Sequence, residues 1–338
     1  MRALQVSRPG KIALNTVEKP TLEGGKVIVK VAYSALCSSD IKLIKGDYHG
    51  LVYPCTPGHE WSGTVVEACC GYEHFVGKNV VIDILSPCQK CELCREGHGN
   101  LCTNMKEIGI SLPGGFAEYA AVDANKVIPI PDMISLKDAC IVEPLAVAYN
   151  AIKRIGGVKP ADKVAVLGSG AVGLILLSLA KLMGASTILV ADYVQDRLDL
   201  AKKMGATNTL NLNNDDIIAY CKANPDIQPN IVFDATGDAK AFHTALEIAR
   251  PNATIGYVGY SAYDKVEVQP SHIMLKCLNI FGVLSPFETW NEAIEIIAQK
   301  RIDVSNLITH EFALEEYETL IGYMKTRENG IIRGVVKL

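Results

Sequence analysis

No stretch of this chain is apolar for long enough to span a bilayer. The longest apolar run, around VGLILLSLAKLMGA, is interrupted by Lys181 and falls short of the roughly 20 residues a membrane helix needs. The first residues, MRALQVSRPGKIALNTVEKP, lack the apolar block of a secretory leader. A cytoplasmic protein with no membrane partner is therefore expected. No Lys/Arg cluster is present and the formal net charge is -4, which argues against a nucleic-acid groove or an anionic membrane surface. There is no internal repeat and no low-complexity tract, so a solenoid is excluded as well.

What is present is an ordinary globular composition. The chain has 338 residues, 49% hydrophobic and 21% charged, which is enough for two cores. Residues 1–150 hold strand-like runs (KVIVKVAYSALC, SGTVVEAC, KNVVIDIL, FAEYAAV) punctuated by Gly and Pro, as in a rolled-up β domain. From residue 151 short apolar strands (KVAVLG, TILVAD, NIVFDATG, ATIGYVGY) alternate with helical patterns (AVGLILLSLAKLMGA, VQDRLDLAKKMGA, AKAFHTALEIARP). That alternation predicts a parallel sheet with crossover helices. LNIFGVL, NEAIEIIAQKR and IRGVVKL complete the chain. The expected fold class is α/β, with residues 1–150 and 275–338 in a β-rich domain and 151–274 in a doubly wound parallel sheet.

VAVLGSGAVG carries Gly168-x-Gly170-x-x-Gly173 between an expected strand and an expected helix, with Ala171 and Val172 inside the motif. In that context Gly168 permits a tight turn, Gly170 lets the backbone approach a pyrophosphate, and Gly173 lets helix and sheet pack closely. The helix N-terminus suits the anion. Asp192 ends the next strand, nineteen residues after Gly173, where a carboxylate accepts from ribose hydroxyls and repels a 2′-phosphate. NAD is thus expected over NADP. Capping of the following helix is the plainer role for the same residue.

Eleven cysteines are many. In a reducing compartment they are not a disulfide framework. Cys55, Cys69, Cys70, Cys140, Cys221 and Cys277 read as small buried hydrophobes. PCQKCELCREGHGNLC instead gathers Cys88, Cys91, Cys94 and Cys102 in one polar loop. Four thiolates close a tetrahedron around Zn²⁺ and leave no position for substrate, so the site reads as structural; an iron–sulfur cluster uses the same donors. Cys37 in SALCSSD, His59 and Glu60 in PGHEWSG, and Glu143 in CIVEPLAVA form a different set. Thiolate, imidazole and carboxylate are the ligands of an open, catalytic zinc.

In sequence order, GHEWSGTVVE, the four-cysteine loop, EPLAVA and VLGSGAVG resemble the zinc-dependent medium-chain dehydrogenases, over essentially the whole chain. The acidic GHE and EPL are similar to the polyol branch, sorbitol and threonine dehydrogenases among them. KGDYHGLVYPCTPGHEWSGTVVE, EPLAVAYNA and HEFALEEYETL resemble the 2-deoxy-scyllo-inosamine dehydrogenases of aminoglycoside biosynthesis. The resemblance implies a GroES-like catalytic domain beside a Rossmann domain, and two Zn²⁺ per chain, one catalytic and one structural. The catalytic ion would be held by Cys37, His59 and either Glu60 or Glu143. The implied reaction moves hydride from a secondary alcohol of a polyol or aminocyclitol to NAD.

Ser39 matches the family's proton-relay hydroxyl; as a residue it also suits a turn. Asp40 can orient His59 or cap a helix. Where relatives often carry a relay histidine this chain has Lys42. Arg197 is expected over the adenine, Arg333 at the pyrophosphate, and Ala235, Thr236, Val258 and Leu284 along the cofactor groove. Tyr48, His49 and Trp290 are candidates to touch a polyhydroxylated substrate. A homodimer or homotetramer is expected through LNIFGVL, an apolar strand at the end of the parallel sheet.

Overall fold

The computed structural model describes residues 1–48, 50–261 and 264–338. The chain forms two compact units, Met1–Glu143 with Ala293–Leu338, and Pro144–Glu292. Among the described residues no helix is long and apolar enough to cross a membrane.

The first unit is built on a seven-stranded sheet. Its order is Ile308–Ala313, Arg333–Lys337, Lys26–Ala35, Glu60–Ala68, Asn79–Ile82 and Val127–Pro129, with Tyr119–Asp123 also paired to Lys26–Ala35. Alternation explains the core. Val27, Val29 and Val31 share one face of their strand and pack with Trp61, Val65, Val80, Ile82 and Val122. Most of the sheet is antiparallel, but Ile308–Ala313 runs parallel to Arg333–Lys337. The helix Tyr317–Thr326 provides the crossover such a pair needs.

The second unit is a six-stranded, wholly parallel sheet. Its strand order is Asn208–Asn211, Thr187–Asp192, Lys163–Leu167, Ile231–Asp234, Thr254–Tyr257 and Asn279–Gly282. Numbered along the chain from residue 163, this is 3-2-1-4-5-6, the doubly wound order of dinucleotide-binding folds. The central strands are buried almost throughout, because helices cover both faces. The order reverses between Lys163–Leu167 and Ile231–Asp234, which places the ligand crevice at their carboxyl ends.

Three sequence expectations need correction. The return to the first unit comes at residue 293 instead of 275, because Asn279–Gly282 adds to the parallel sheet as its edge. The second unit likewise begins at 144 instead of 151. The helix Val142–Arg154, with no strand-like pattern of its own, carries the chain across that boundary. Of the six cysteines read as buried hydrophobes, Cys55, Cys140 and Cys221 are buried, Cys69 is half-buried, and Cys70 and Cys277 are exposed. Cys70 follows its strand in a turn and Cys277 caps the helix Pro270–Lys276, so neither lies on a core-facing position. The edge strand Asn208–Asn211 carried no apolar signal; three of its four residues are polar.

A Cβ on Gly173 would stand 1.9 Å from the Gly168 carbonyl oxygen and 3.4 Å from Val166. Backbone blocks it, so the helix Ala171–Leu182 must retreat from the sheet. Gly173→Val is expected to cost about 1–3 kcal/mol by overpacking and to weaken dinucleotide binding. A denaturant midpoint equal to wild type would contradict this reading of the helix–sheet contact.

Candidate metal and cofactor sites

Strand pairing brings the open ligand set together. Lys26–Ala35 and Glu60–Ala68 are antiparallel with Ala35 opposite Glu60. The end of one strand therefore lies beside the start of the other. Cys37 is two residues beyond the first and His59 one before the second. Cys37 then caps the helix Ser38–Lys45, its backbone N–H donating to Asp40 Oδ2 at 2.8 Å. Asp40 Oδ1 accepts from Gly58 N at 3.2 Å and faces His59 Nδ1 at 3.4 Å. That last contact is an ion-pair distance without hydrogen-bond geometry, since Nδ1 has no well-formed partner. Asp40 thus both caps the helix and faces the imidazole, the two roles considered for it.

Gly58, with φ +99°, delivers His59. A Cβ there would meet Phe116 at 2.8 Å. The segment behind it lies flush: Gly115 N donates to Gly58 O at 2.9 Å and Gly114 N to Thr56 O at 2.8 Å. A side chain on Gly114 would come within 2.2 Å of Gly58 O. The Gly-Gly pair was the available sequence signal for this support.

Ligand atoms of Cys37, His59 and Glu60 lie within 4.8 Å of one another. Glu143 is outside that set but close enough to interact with His59 and Cys37. His59 Nε2 is 3.2 Å from Ser39 Oγ. Arg333 donates to Leu36 O at 3.0 Å and pairs with Glu60 Oε1 at 3.1 Å. Its guanidinium is buried beside the metal candidates, a setting that the sequence expectation at the pyrophosphate did not include. Glu60 Oε2 is buried and has no hydrogen-bond partner among the described residues.

The charges show what this cluster needs. Burial pushes the Cys37 thiol up, but Arg333 and His59 outweigh it and hold it at about 5. Burial raises Glu60 well above the carboxylate range against the pull of Arg333, with Cys37 and Glu143 adding to the rise. Burial likewise carries Glu143 to about 7, opposed by His59 and reinforced by Cys37. His59 is raised well above its ordinary value because Asp40 and Cys37 outweigh burial. Four acidic groups crowd two cationic ones. A divalent cation supplies the missing positive charge and gives Glu60 Oε2 a partner. The residues fit zinc: thiolate, imidazole and carboxylate.

Cys88, Cys91, Cys94 and Cys102 form the second set. Cys102 Sγ accepts from Cys88 N at 3.2 Å and Asn104 N at 3.3 Å. Backbone N–H groups of Cys94 and Thr103 lower Cys91 to about 6, and those of Lys90 and Cys91 lower Cys88. Cys94 is driven up to about 12 by burial and by its neighbours Cys91 and Cys102. The backbone is folded to stabilise negative sulfur, while the sulfurs together disfavour it; a central cation resolves both.

In the second unit Gly168 has φ +91°, and a Cβ on it would meet Thr236 Cγ2 at 2.9 Å. Gly170 caps the helix Ala171–Leu182 with open space in front of it; the nearest atom to a Cβ is Arg197 Nη1 at 4.0 Å. Anion-binding N–H groups and a buried arginine therefore share one corner. Asp192 Oδ2 accepts from Ser169 N and Oγ at 2.6 and 2.8 Å, and Oδ1 from Tyr193 N and Val194 N at 2.7 and 3.1 Å. The expected ribose acceptor is thus also a hub of the loop. Asp234 fixes Thr236 through its N–H at 2.9 Å and hydroxyl at 2.7 Å. The Asp234 carbonyl accepts from Val258 N at 2.9 Å. Ser169 and Asp234 were not anticipated; a hydroxyl inside the glycine motif was the only hint of the first.

Leu284 is exposed two residues past the edge strand, and Trp290 is buried with Nε1 unpartnered. Tyr48 packs on the apolar cluster around Leu36, Ile41 and Ile44. His49 lies outside the described residues.

A glycine loop on a doubly wound sheet, an open ligand set and a closed one define a zinc- and dinucleotide-dependent oxidoreductase. Residues 23–132 match the alcohol dehydrogenase GroES-like domain, and residues 171–299 match the zinc-binding dehydrogenase family. D-arabitol-phosphate dehydrogenase of Enterococcus avium is 30% identical over 326 residues, covering 94% of this chain and 92% of that one. Sorbitol dehydrogenase of Bacillus subtilis (strain 168) is 28% identical over 322 residues, covering 94% and 91%. The RspB alcohol dehydrogenase from Escherichia coli CFT073, solved with NADH, superimposes with a TM-score of 0.93 at 28% identity, covering 100% and 99%. The chain belongs to the zinc-dependent medium-chain dehydrogenases. It is an NAD(P)-dependent zinc alcohol or polyol dehydrogenase, with zinc and NAD(P) as cofactors.

Metal analysis of Cys94→Ser should fall from two zinc ions per chain to one, with a lower melting temperature and the Cys37 set still loaded. Cys37→Ser should lose the other ion and keep most of the stability. One zinc per chain in the unaltered protein would refute the two-set assignment.

Proposed function

We propose that this enzyme oxidises one secondary hydroxyl of a cyclic polyol or aminocyclitol, a compound of the 2-deoxy-scyllo-inosamine type, with NAD⁺ as the preferred acceptor. The observation that carries the chemistry is the Cys37, His59 and Glu60 cluster, with Glu60 Oε2 buried and unpartnered. When bound, zinc supplies a Lewis acid that acidifies the substrate hydroxyl and NAD⁺ supplies the hydride acceptor. The chain does the rest. Cys37, His59 and Glu60 hold the ion, and Glu143 stands by as an exchangeable carboxylate. Asp40 orients His59 from its far side, as metal-bound imidazoles require. Ser39 Oγ, beside His59 Nε2, takes the alcohol proton. The outer relay bypasses the usual histidine, because Lys42 stands there. Gly168, Gly170 and Gly173 shape the pyrophosphate site, Arg197 covers the adenine, and Asp192 selects the ribose.

Support for the substrate class is of two kinds. KGDYHGLVYPCTPGHEWSGTVVE and HEFALEEYETL resemble the aminocyclitol dehydrogenases of antibiotic biosynthesis, and relatives named for sorbitol and D-arabitol phosphate align over nearly the whole chain. A site that hydrogen-bonds several hydroxyls rejects analogues lacking them. Values of kcat/KM are expected to be highest for 2-deoxy-scyllo-inosamine, lower for sorbitol and lowest for ethanol. Ethanol equal to the polyols would overturn the reading. Asp192→Ala should weaken NAD⁺ binding, by about 1.5–3 kcal/mol per charged hydrogen bond lost at most, and relax the preference against NADP⁺.

The reading also includes a cytoplasmic location, which the unpaired cysteines support, and self-association. Asn279–Gly282 ends the parallel sheet, and Met274 and Leu275 before it are 67% and 73% exposed. An apolar edge of this kind is an aggregation hazard unless paired. A symmetric partner edge covers it in a homodimer, or in a tetramer built from two. Light scattering at micromolar concentration should give at least twice the chain mass; a monomer would rule the pairing out.

A further inference from the structure

The carboxylate of Asp192 is already full. Two oxygens offer about four acceptor directions, and Ser169 N, Ser169 Oγ, Tyr193 N and Val194 N take four. Asp192 is 6% exposed and Ser169 fully buried. A ribose hydroxyl that donates to Asp192 therefore has to take a position from one of these donors. Three of them are main-chain N–H groups. Two belong to the residues directly after Asp192. The third is in the glycine turn, where Gly168 N is pinned to Ala191 O at 2.8 Å. Only the Ser169 hydroxyl moves by side-chain rotation alone, from one staggered well to another.

We propose that Ser169 is a cofactor-affinity residue whose hydroxyl holds the acceptor position on Asp192 that the adenosine ribose takes, and yields it when the dinucleotide binds. This rests on the reading of Asp192 as the ribose acceptor. The exchange is close to neutral in hydrogen bonds made, but the displaced serine leaves a charged partner inside a buried turn. Ser169 thus weakens cofactor binding and keeps Asp192 oriented between turnovers. It also sharpens selectivity, because only a ligand bringing a ribose hydroxyl of its own can replace it.

The test is direct titration of NADH, NADPH and the 2′,3′-dideoxyadenosine analogue of NADH against wild type and Ser169→Ala, by calorimetry, without turnover. Ser169→Ala should bind NADH about 2–10-fold tighter, the worth of one hydrogen bond no longer surrendered. Affinity for the dideoxy analogue should be the same in both proteins. Ser169→Cys keeps the side-chain volume with a weaker donor, and should move NADH binding in the same direction if alanine unsettles the loop. Unchanged or weaker NADH binding in both variants overturns the proposal, as does an equal gain for the dideoxy analogue, which would show a general loosening of the turn. Wild type that binds NADPH as well as NADH would instead remove the underlying role of Asp192.

Discussion

Glu60 is a carboxylate that this fold cannot bury alone. A charge taken out of water needs a partner on each exposed face. Arg333 satisfies Oε1, and among the described residues no side chain or backbone group satisfies Oε2. Around it the strands Lys26–Ala35 and Glu60–Ala68 deliver a thiol and an imidazole to the same few ångströms. The strand register, the left-handed Gly58, the Gly114–Gly115 support and the buried arginine all converge on one requirement, a cation between Cys37, His59 and Glu60.

The two ligand sets solve this problem differently. At the four-cysteine loop the anionic sulfurs are stabilised by backbone N–H groups, a local device available to a segment with little apolar surface. At the Cys37 set the compensation is long-range, from Arg333 nearly three hundred residues away. There the distant guanidinium neutralises one Glu60 oxygen and leaves the other without a hydrogen-bond partner among the described residues.

Local patterns were legible in sequence and long-range commitments were not. The glycine motif, the alternating strands and helices and the cysteine spacing each encode a structure within about thirty residues. They placed the parallel sheet and its loop correctly. The edge Asn279–Gly282 was legible as the end of the parallel sheet, where it pairs with Thr254–Tyr257; the boundary drawn at residue 275 cut it off from that sheet, because an apolar run does not mark where a unit ends. Arg333 was read as a pyrophosphate ligand; its buried pairing with Glu60 is an added contact between distant segments that no local pattern carries. Which of Glu60 and Glu143 joins the thiol and the imidazole depends on strand register and helix position; ligand atoms of Glu60, Cys37 and His59 lie within 4.8 Å of one another.

The same limit applies to Asp192, and it bears on how the dinucleotide site works. Read from sequence, a strand-end acid is an open acceptor. In the fold it is also the anchor of the glycine turn, tied to Ser169 on one oxygen and to its own following backbone on the other. A turn carrying Gly168 at φ +91° is conformationally costly to order, and the carboxylate offsets that cost by fixing the loop before any ligand arrives. Preorganisation of this kind favours binding by sparing a ligand the ordering of the loop, yet it uses the acceptor positions that the proposed ribose contact would take. Under that proposal one carboxylate serves both ends through a replaceable donor, and the Ser169 hydroxyl is the one donor on it that rotates freely of the backbone.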